Sequence, residues 1–185
     1  EPHVSIASLS PALQERTLIV NGFSKRYAMT GWRLGYVAGS RPVIEAITNL
    51  QSHSTSNPTS FAQAGALAAL QGPAEPVQAM VEEFRRRRDF LVARLGGLPY
   101  VECAVPDGAF YVFPKVSGIF GRCADGVEIT SSSSLCQLVL EKAQVAIVPG
   151  IAFGTDEYVR LSYATGFEQI REGVARLAAF WERLK

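Results

Sequence analysis

The sequence predicts an α/β fold, and three features carry that reading. Apolar runs rich in β-branched and aromatic residues, such as "AFYVFPKV" (109–116) and "VAIVPG" (145–150), have the length and bounding turns of strands. Segments with a helical apolar period alternate with them along the chain. The 185 residues are 48% apolar, enough to build a core.

Taken in order, "RTLIVNGFSK" reads as a short buried strand at Leu18–Val20 running into a glycine loop that carries Lys25. "WRLGYVAG" reads as a second strand, with Gly31 turning the chain into it. Residues 42–50 suit a helix with Val43, Ile44, Ile47 and Leu50 on one face and Pro42 in its first turn. A further helix is expected from Ser60, where "SFAQ" has capping-box spacing. "QGPAEP" then breaks the pattern. Beyond it Val77, Met80, Val81, Phe84, Leu91, Val92 and Leu95 predict a long helix over 75–95, closed by Gly96 and Gly97. "GRCADGVEITSSSS" reads as a polar loop, followed by a helix around Leu135–Ala143. After the strands "VAIVPG" and "VRLSYATG", "TGFE" is expected to cap a last helix. Its apolar stripe is Phe167, Ile170, Val174, Leu177, Trp181 and Leu184. That stripe is core.

Composition excludes several classes of function. A net charge of +1 gives no reason to expect a nucleic acid or an acidic membrane surface as partner. The run Arg85–Arg88 lies inside the long helix, and Glu82 and Glu83 stand four residues before Arg86 and Arg87. Local ion pairs on a solvated face are therefore expected. Three cysteines without a C-x-x-C pair, and only two histidines, argue against a disulfide framework and a zinc site. They suit a reducing compartment, and a cytoplasmic location is expected. There is no apolar run long enough to cross a bilayer.

The chemistry concentrates in "NGFSKRYAMTGWRLGY" (21–36). Lys25 follows a predicted strand, and Arg33 returns eight residues later beside the next one. Ser24 and Lys25 point to opposite faces of an extended chain, which disfavours a Ser-Lys hydrolytic dyad. The G-x-x-x-x-G-K-[ST] spacing of a phosphate loop is absent. A lysine condenses with aldehydes and shifts its pKa readily, while arginine's planar fork binds phosphate. A ligand carrying both an aldehyde and a phosphate would use that pair.

"NGFSKRYAMTGWRLGYVAG" closely resembles the lysine segment of the class I/II aminotransferases, the fold type I pyridoxal-phosphate enzymes. It is most similar to the bacterial and archaeal aspartate aminotransferase subgroup. The resemblance continues in family order through "STSNPTSFAQ", "PDGAFYVFP", "VAIVPGIAFG" and "VRLSYA", over essentially the whole chain. It implies transamination between an amino acid and a 2-oxo acid with pyridoxal 5′-phosphate as cofactor. Lys25 matches the lysine that holds the cofactor and shuttles the substrate α-proton. At its ordinary value of about 10.4 a lysine is a poor base, so such a site must depress it. Arg33 matches the arginine that binds the cofactor phosphate, whose charge near about −2 favours a bidentate partner. Arg160 matches the arginine that grips the substrate α-carboxylate. Ser56 and Asn57 match residues that approach the neighbouring subunit's site in family dimers. Phe110 lies where the family often lines the substrate pocket, although "AFYVF" is equally good core.

Two positions depart from the family pattern. Gly22 stands where many relatives carry a phosphate-binding serine. Ser52 stands where the animal-type aspartate enzymes read a second carboxylate with an arginine, so dicarboxylate preference has no support here. The resemblance further implies that the aspartate pairing with the cofactor's ring nitrogen, the stacked aromatic and a glycine-rich phosphate turn lie upstream of Glu1. Glu1 is not an initiator Met, and "EPHVSIASL" lacks a cap or strand pattern. The expectation is thus the C-terminal part of a longer, homodimeric enzyme, inactive without its N-terminal half. Residues 1–74 would be the end of the large cofactor domain and 75–185 the small α/β domain. The missing sheet would leave apolar faces exposed. A lyase or decarboxylase of the same fold type is an alternative, and so is the cofactor-sensing domain of a transcription regulator.

Overall fold

The computed structural model describes residues 3–185, and these divide into two units, the first ending at Gln78 and the second beginning at Ala79. In the first, α1 (Pro11–Glu15) starts at Ser10, whose hydroxyl accepts the Leu13 N–H at 3.2 Å, with Pro11 in the first turn. β1 (Ile19–Gly22) and β2 (Gly35–Ala38) form an antiparallel ribbon in register from Ile19↔Ala38 to Gly22↔Gly35. The buried strand expected at Leu18–Val20 is displaced to Ile19–Gly22 and is exposed, with Val20 at 75%. Its β-branched run has the composition of a core strand, but two strands alone supply no layer to cover it.

α2 (Arg41–Ser54) has Pro42 in its first turn, and its predicted apolar face is open, with Leu50 73% exposed. α3 (Ser60–Gln71) starts at Ser60 as expected, but Ser60 is its first residue rather than its cap. Thr59 is the N-cap without a side-chain bond, and Gln63 Nε2 instead donates to the Pro58 carbonyl at 2.7 Å. The unit's small core is Phe23, Met29 and Ala66, with Tyr27, Leu34 and Ala69 against them.

α4 (Glu75–Gly96) begins before the division and runs into the second unit, where it buries Leu91 and Leu95. On its solvent side Glu83 pairs with both Arg86 (2.8 Å) and Arg87 (2.7 Å). The side-chain bonds from Arg86 and then Arg87 hold the Glu83 carboxyl down at about 2. Glu82, expected to share this role, makes no ion pair among the described residues.

The remaining elements are β3 (Tyr111–Val112), β4 (Cys123–Ala124), β5 (Val127–Glu128), α5 (Ser132–Ala143), β6 (Val148–Pro149), β7 (Val159–Ser162) and α6 (Phe167–Trp181). β7 is the centre of an antiparallel sheet ordered β3-β7-β6, with Tyr111 opposite Ser162 and Val148 opposite Arg160. The predicted polar loop 121–134 holds more structure than expected. Asp125 and Gly126 both have positive φ, as an Asp-Gly hairpin turn requires, and they join β4 to β5. Its serines then start α5, since Ser131 Oγ accepts from Ser134 N and Ser134 Oγ accepts from Ser131 N. The cap expected from "TGFE" does not form. Gly166 is the N-cap of α6, and Thr165 Oγ1 donates to Gln169 Oε1 at 3.0 Å.

The core of this unit joins the buried faces of α5 and α6 to the sheet. Val112, Ile129, Leu135, Val139, Val159, Ile170, Val174, Leu177 and the fully buried Phe180 form one cluster. Cys103, Cys123 and Cys136 are unpaired, and among the described residues there is no metal-binding cluster and no helix long and apolar enough to cross a membrane.

Candidate active site

Lys25 and Arg33 both lie on the connection between β1 and β2, a loop closed at its base by the Phe23 N–H donating to the Leu34 carbonyl at 3.2 Å. Antiparallel pairing makes the two ends of this loop neighbours, so the chain returns Arg33 to the same end of the ribbon as Lys25. Gly35 secures the approach, because a Cβ there would stand 2.9 Å from the Asn21 carbonyl oxygen. At Gly22 a Cβ would meet only the Leu34 oxygen at 3.7 Å, so the described residues leave room for the serine that many relatives carry.

The loop is folded tightly. Tyr27 N–H donates to Phe23 O (3.2 Å) and Ala28 N–H to Lys25 O (3.3 Å), and Ala28 takes the left-handed conformation. Residues 30–32 form a 3₁₀ turn, and Arg33 itself is left-handed (φ 53°, ψ 47°). Arg33, rather than the expected Gly31, therefore redirects the chain into β2. A bulky residue adopts this conformation only where its surroundings impose it. On one side Trp32 lies over Gly65 of α3, where a Cβ would come within 2.5 Å of Cζ3. On the other, Leu34 packs on the Phe23 cluster.

The Arg33 guanidinium is exposed and has no acid partner among the described residues. Its Nη1 donates to the Thr30 carbonyl at 3.1 Å. Lys25 is exposed on the same loop. One primary amine and one guanidinium whose charge no carboxylate neutralises form a donor set that fits a ligand carrying a carbonyl carbon and a phosphate.

Ser56 and Asn57 sit in the turn between α2 and α3. Ser56 is left-handed (φ 64°), and Asn57 Nδ2 donates to the Pro58 carbonyl at 3.0 Å. Ser52 turns onto its own helix and donates to the Asn49 carbonyl.

In the second unit Arg160 projects from β7. It lies two residues from Ser162, which faces Tyr111 on β3, so Arg160 and the Tyr111 ring share one sheet face. The guanidinium carbon is 4.3 Å from the Tyr111 ring centroid and 4.6 Å from that of Phe153. Phe113 meets Phe153 edge-on and stacks on Tyr158 at 5.0 Å, fixing that ring set. Two ring faces hold the plane of Arg160, and among the described residues no hydrogen-bond acceptor or acid occupies its edge. A half-buried cation held by rings presents its N–H groups to an anion. Phe110 is half-buried; its ring touches Phe84 and Tyr111, and its carbonyl accepts the Tyr163 N–H at 3.0 Å.

Sequence reasoning did not single out Tyr111, Phe153 or Thr30. For Phe153 a signal existed in the flanking glycines of "GIAFG". A Cβ at Gly150 would collide with the Thr155 and Tyr158 carbonyls, and Gly154 has φ 90°, so only glycine permits the tight turn that presents the ring.

The chain belongs to the class I and II aminotransferases, whose family model matches residues 2–177. It is 48% identical over 181 residues to the aspartate aminotransferase of Bacillus subtilis, covering 98% of this chain and 45% of that one. It also superposes on the aspartate aminotransferase structure from Rhizobium meliloti with a TM-score of 0.94 and 44% identity, over 99% of this chain and 46% of that one. For the aromatic aminotransferase structure from Pyrococcus horikoshii the TM-score is 0.84 and the identity 40%, over 98% and 47% of the two chains. The chain therefore spans less than half the length of the relatives it matches.

Proposed function

We propose that this chain supplies the lysine, phosphate-binding and carboxylate-binding parts of a pyridoxal-phosphate-dependent aminotransferase acting between an amino acid and a 2-oxo acid. Residues 1–74 belong in this reading to the large domain and 75–185 to the small one, and the complete protein is a cytoplasmic homodimer. The observation that carries the proposal is the loop joining β1 and β2, which bears the Lys25 amine and the Arg33 guanidinium, the latter without an acid partner among the described residues.

Bound pyridoxal 5′-phosphate supplies a ring that stabilises negative charge developing at the substrate α-carbon. Lys25 would hold the cofactor at its aldehyde carbon and, once displaced by the substrate's amino group, its freed amine would carry the α-proton to that same carbon. Arg33 offers its fork to the phosphate and so fixes the cofactor's distance from Lys25. Arg160, its guanidinium held against the Tyr111 and Phe153 rings, binds the α-carboxylate and orients the proton to be moved. Asn57 and Phe110 are assigned to the substrate end of the site. Ser52 gives no cation for a second carboxylate, and aspartate enters as the first donor to assay only because relatives bear that name.

The test is product analysis on the complete gene product with aspartate and aromatic donors and 2-oxoglutarate. The expected result is stoichiometric exchange of amino and oxo groups. It should be abolished by K25A, and R160K should raise KM for the donor about ten-fold or more, since an ammonium lacks the bidentate fork. Release of carbon dioxide or ammonia without amino transfer would replace the proposal by a decarboxylase or lyase.

A further inference from the structure

Thr30 lies between Lys25 and Arg33 and makes two contacts that join them. Its Oγ1 donates to the carbonyl of Ser24, the peptide group that carries the Lys25 nitrogen, at 2.9 Å. Its own carbonyl accepts Arg33 Nη1 at 3.1 Å. We infer that Thr30 is a positioning residue that sets the Arg33 guanidinium at a fixed place relative to the Lys25 backbone, and so couples phosphate recognition to the lysine. This rests on the function proposed above.

Two left-handed non-glycine residues, Ala28 (φ 54°) and Arg33 (φ 53°), bracket Thr30. Such conformations persist only where neighbouring contacts over-determine them. The ribbon's hydrogen bonds end at Phe23 and Leu34, and within the loop Thr30 supplies a side-chain tie from the Arg33 limb back to the Lys25 limb. Without its hydroxyl the 3₁₀ turn keeps its backbone chemistry but loses that tie. The Thr30 carbonyl can then rotate, and Arg33 with it. A methyl group in its place cannot hold the Ser24 carbonyl, whereas a serine hydroxyl can.

The experiment compares pyridoxal phosphate with pyridoxal, which lacks the phosphate, as ligands of the complete protein. Binding is measured by absorbance titration and confirmed by borohydride labelling of Lys25. In T30V the preference for the phosphorylated ligand is expected to fall about ten-fold while pyridoxal affinity stays within about two-fold. T30S is expected to restore the preference, and R33A to abolish it. Wild-type preference in T30V overturns the inference. So does equal weakening of both ligands, which marks a general loss of structure, and so does a T30S variant as impaired as T30V. A wild-type protein that labels at no specific lysine removes the functional reading and this inference together, whereas normal wild-type labelling with an unaffected T30V removes the inference alone.

Discussion

The two units of the chain differ in how they treat the same kind of sequence. Both contain β-branched strands and amphipathic helices, yet the second closes twenty buried apolar residues into one cluster and the first gathers three, with Ala62 buried apart from them. In the second, α5 and α6 cover a sheet, so Val112, Val159 and Phe180 are sealed from water. In the first, a two-stranded ribbon with α1, α2 and α3 leaves Val20, Leu50 and Phe61 each more than 70% exposed. An apolar pattern fixes which face seeks burial; a second layer decides whether it is buried. The proposed chemistry divides the same way. The lysine loop stands in the unit with the thin core, and the carboxylate-binding arginine on the closed sheet.

The largest effect should come from opening the closed unit. F180A removes a fully buried ring and is expected to cost about 3–5 kcal/mol in a urea melt of the chain. Next is the polar tie that seats α5. Asp156 Oδ1 accepts from the Ser132 N–H at 3.0 Å and from its buried hydroxyl at 2.6 Å. D156A should cost about 1–3 kcal/mol, because it leaves that hydroxyl without its acceptor.

A smaller, pH-dependent effect belongs to Cys136. Burial, with Asp156 as a lesser cause, pushes its thiol from 9.0 up to about 11. Between these values the unfolded chain has released a proton that the folded one keeps, so stability falls as pH rises through that window. C136A should flatten this slope in melts taken across it, and an unchanged slope would assign it to other groups. The least effect is expected at Leu50. On its open face L50A should shift the melt by no more than about 0.5 kcal/mol, and a cost near that of F180A would mean this surface is covered in solution.

Much of this was legible in the sequence, for reasons that differ by element. The 3.6 period located α6 because its buried face, Ile170 to Trp181, is long, and α4 because its apolar positions recur from Val77 to Leu95 although only Leu91 and Leu95 are buried. Strand existence was readable and strand length was not. "AFYVFPKV" contributes Tyr111–Val112 as a strand and then only isolated bridges from Lys115 to Glu102 and Tyr158, because Pro114 has no N–H to donate and interrupts the ladder. The β4–β5 hairpin was missed although "ADG" carries the Asp-Gly turn chemistry, since its strands are two residues long. Of the candidate site, Lys25 and Arg33 drew notice by their setting in one glycine- and aromatic-rich loop, and Arg160 only through the family resemblance. Tyr111 and Phe153 did not, since what qualifies them is the place of their rings beside a guanidinium three strands and a turn away in sequence.

The central claim is that Lys25 is the residue that holds the cofactor. The chain has four lysines, Lys25, Lys115, Lys142 and Lys185, and they fall on separable peptides. The complete protein is incubated with pyridoxal phosphate, reduced with borohydride, digested and mapped by mass. The account predicts one label per chain, on the peptide containing Lys25. Label spread evenly over the protein's lysines, or centred on any lysine other than Lys25, would contradict it.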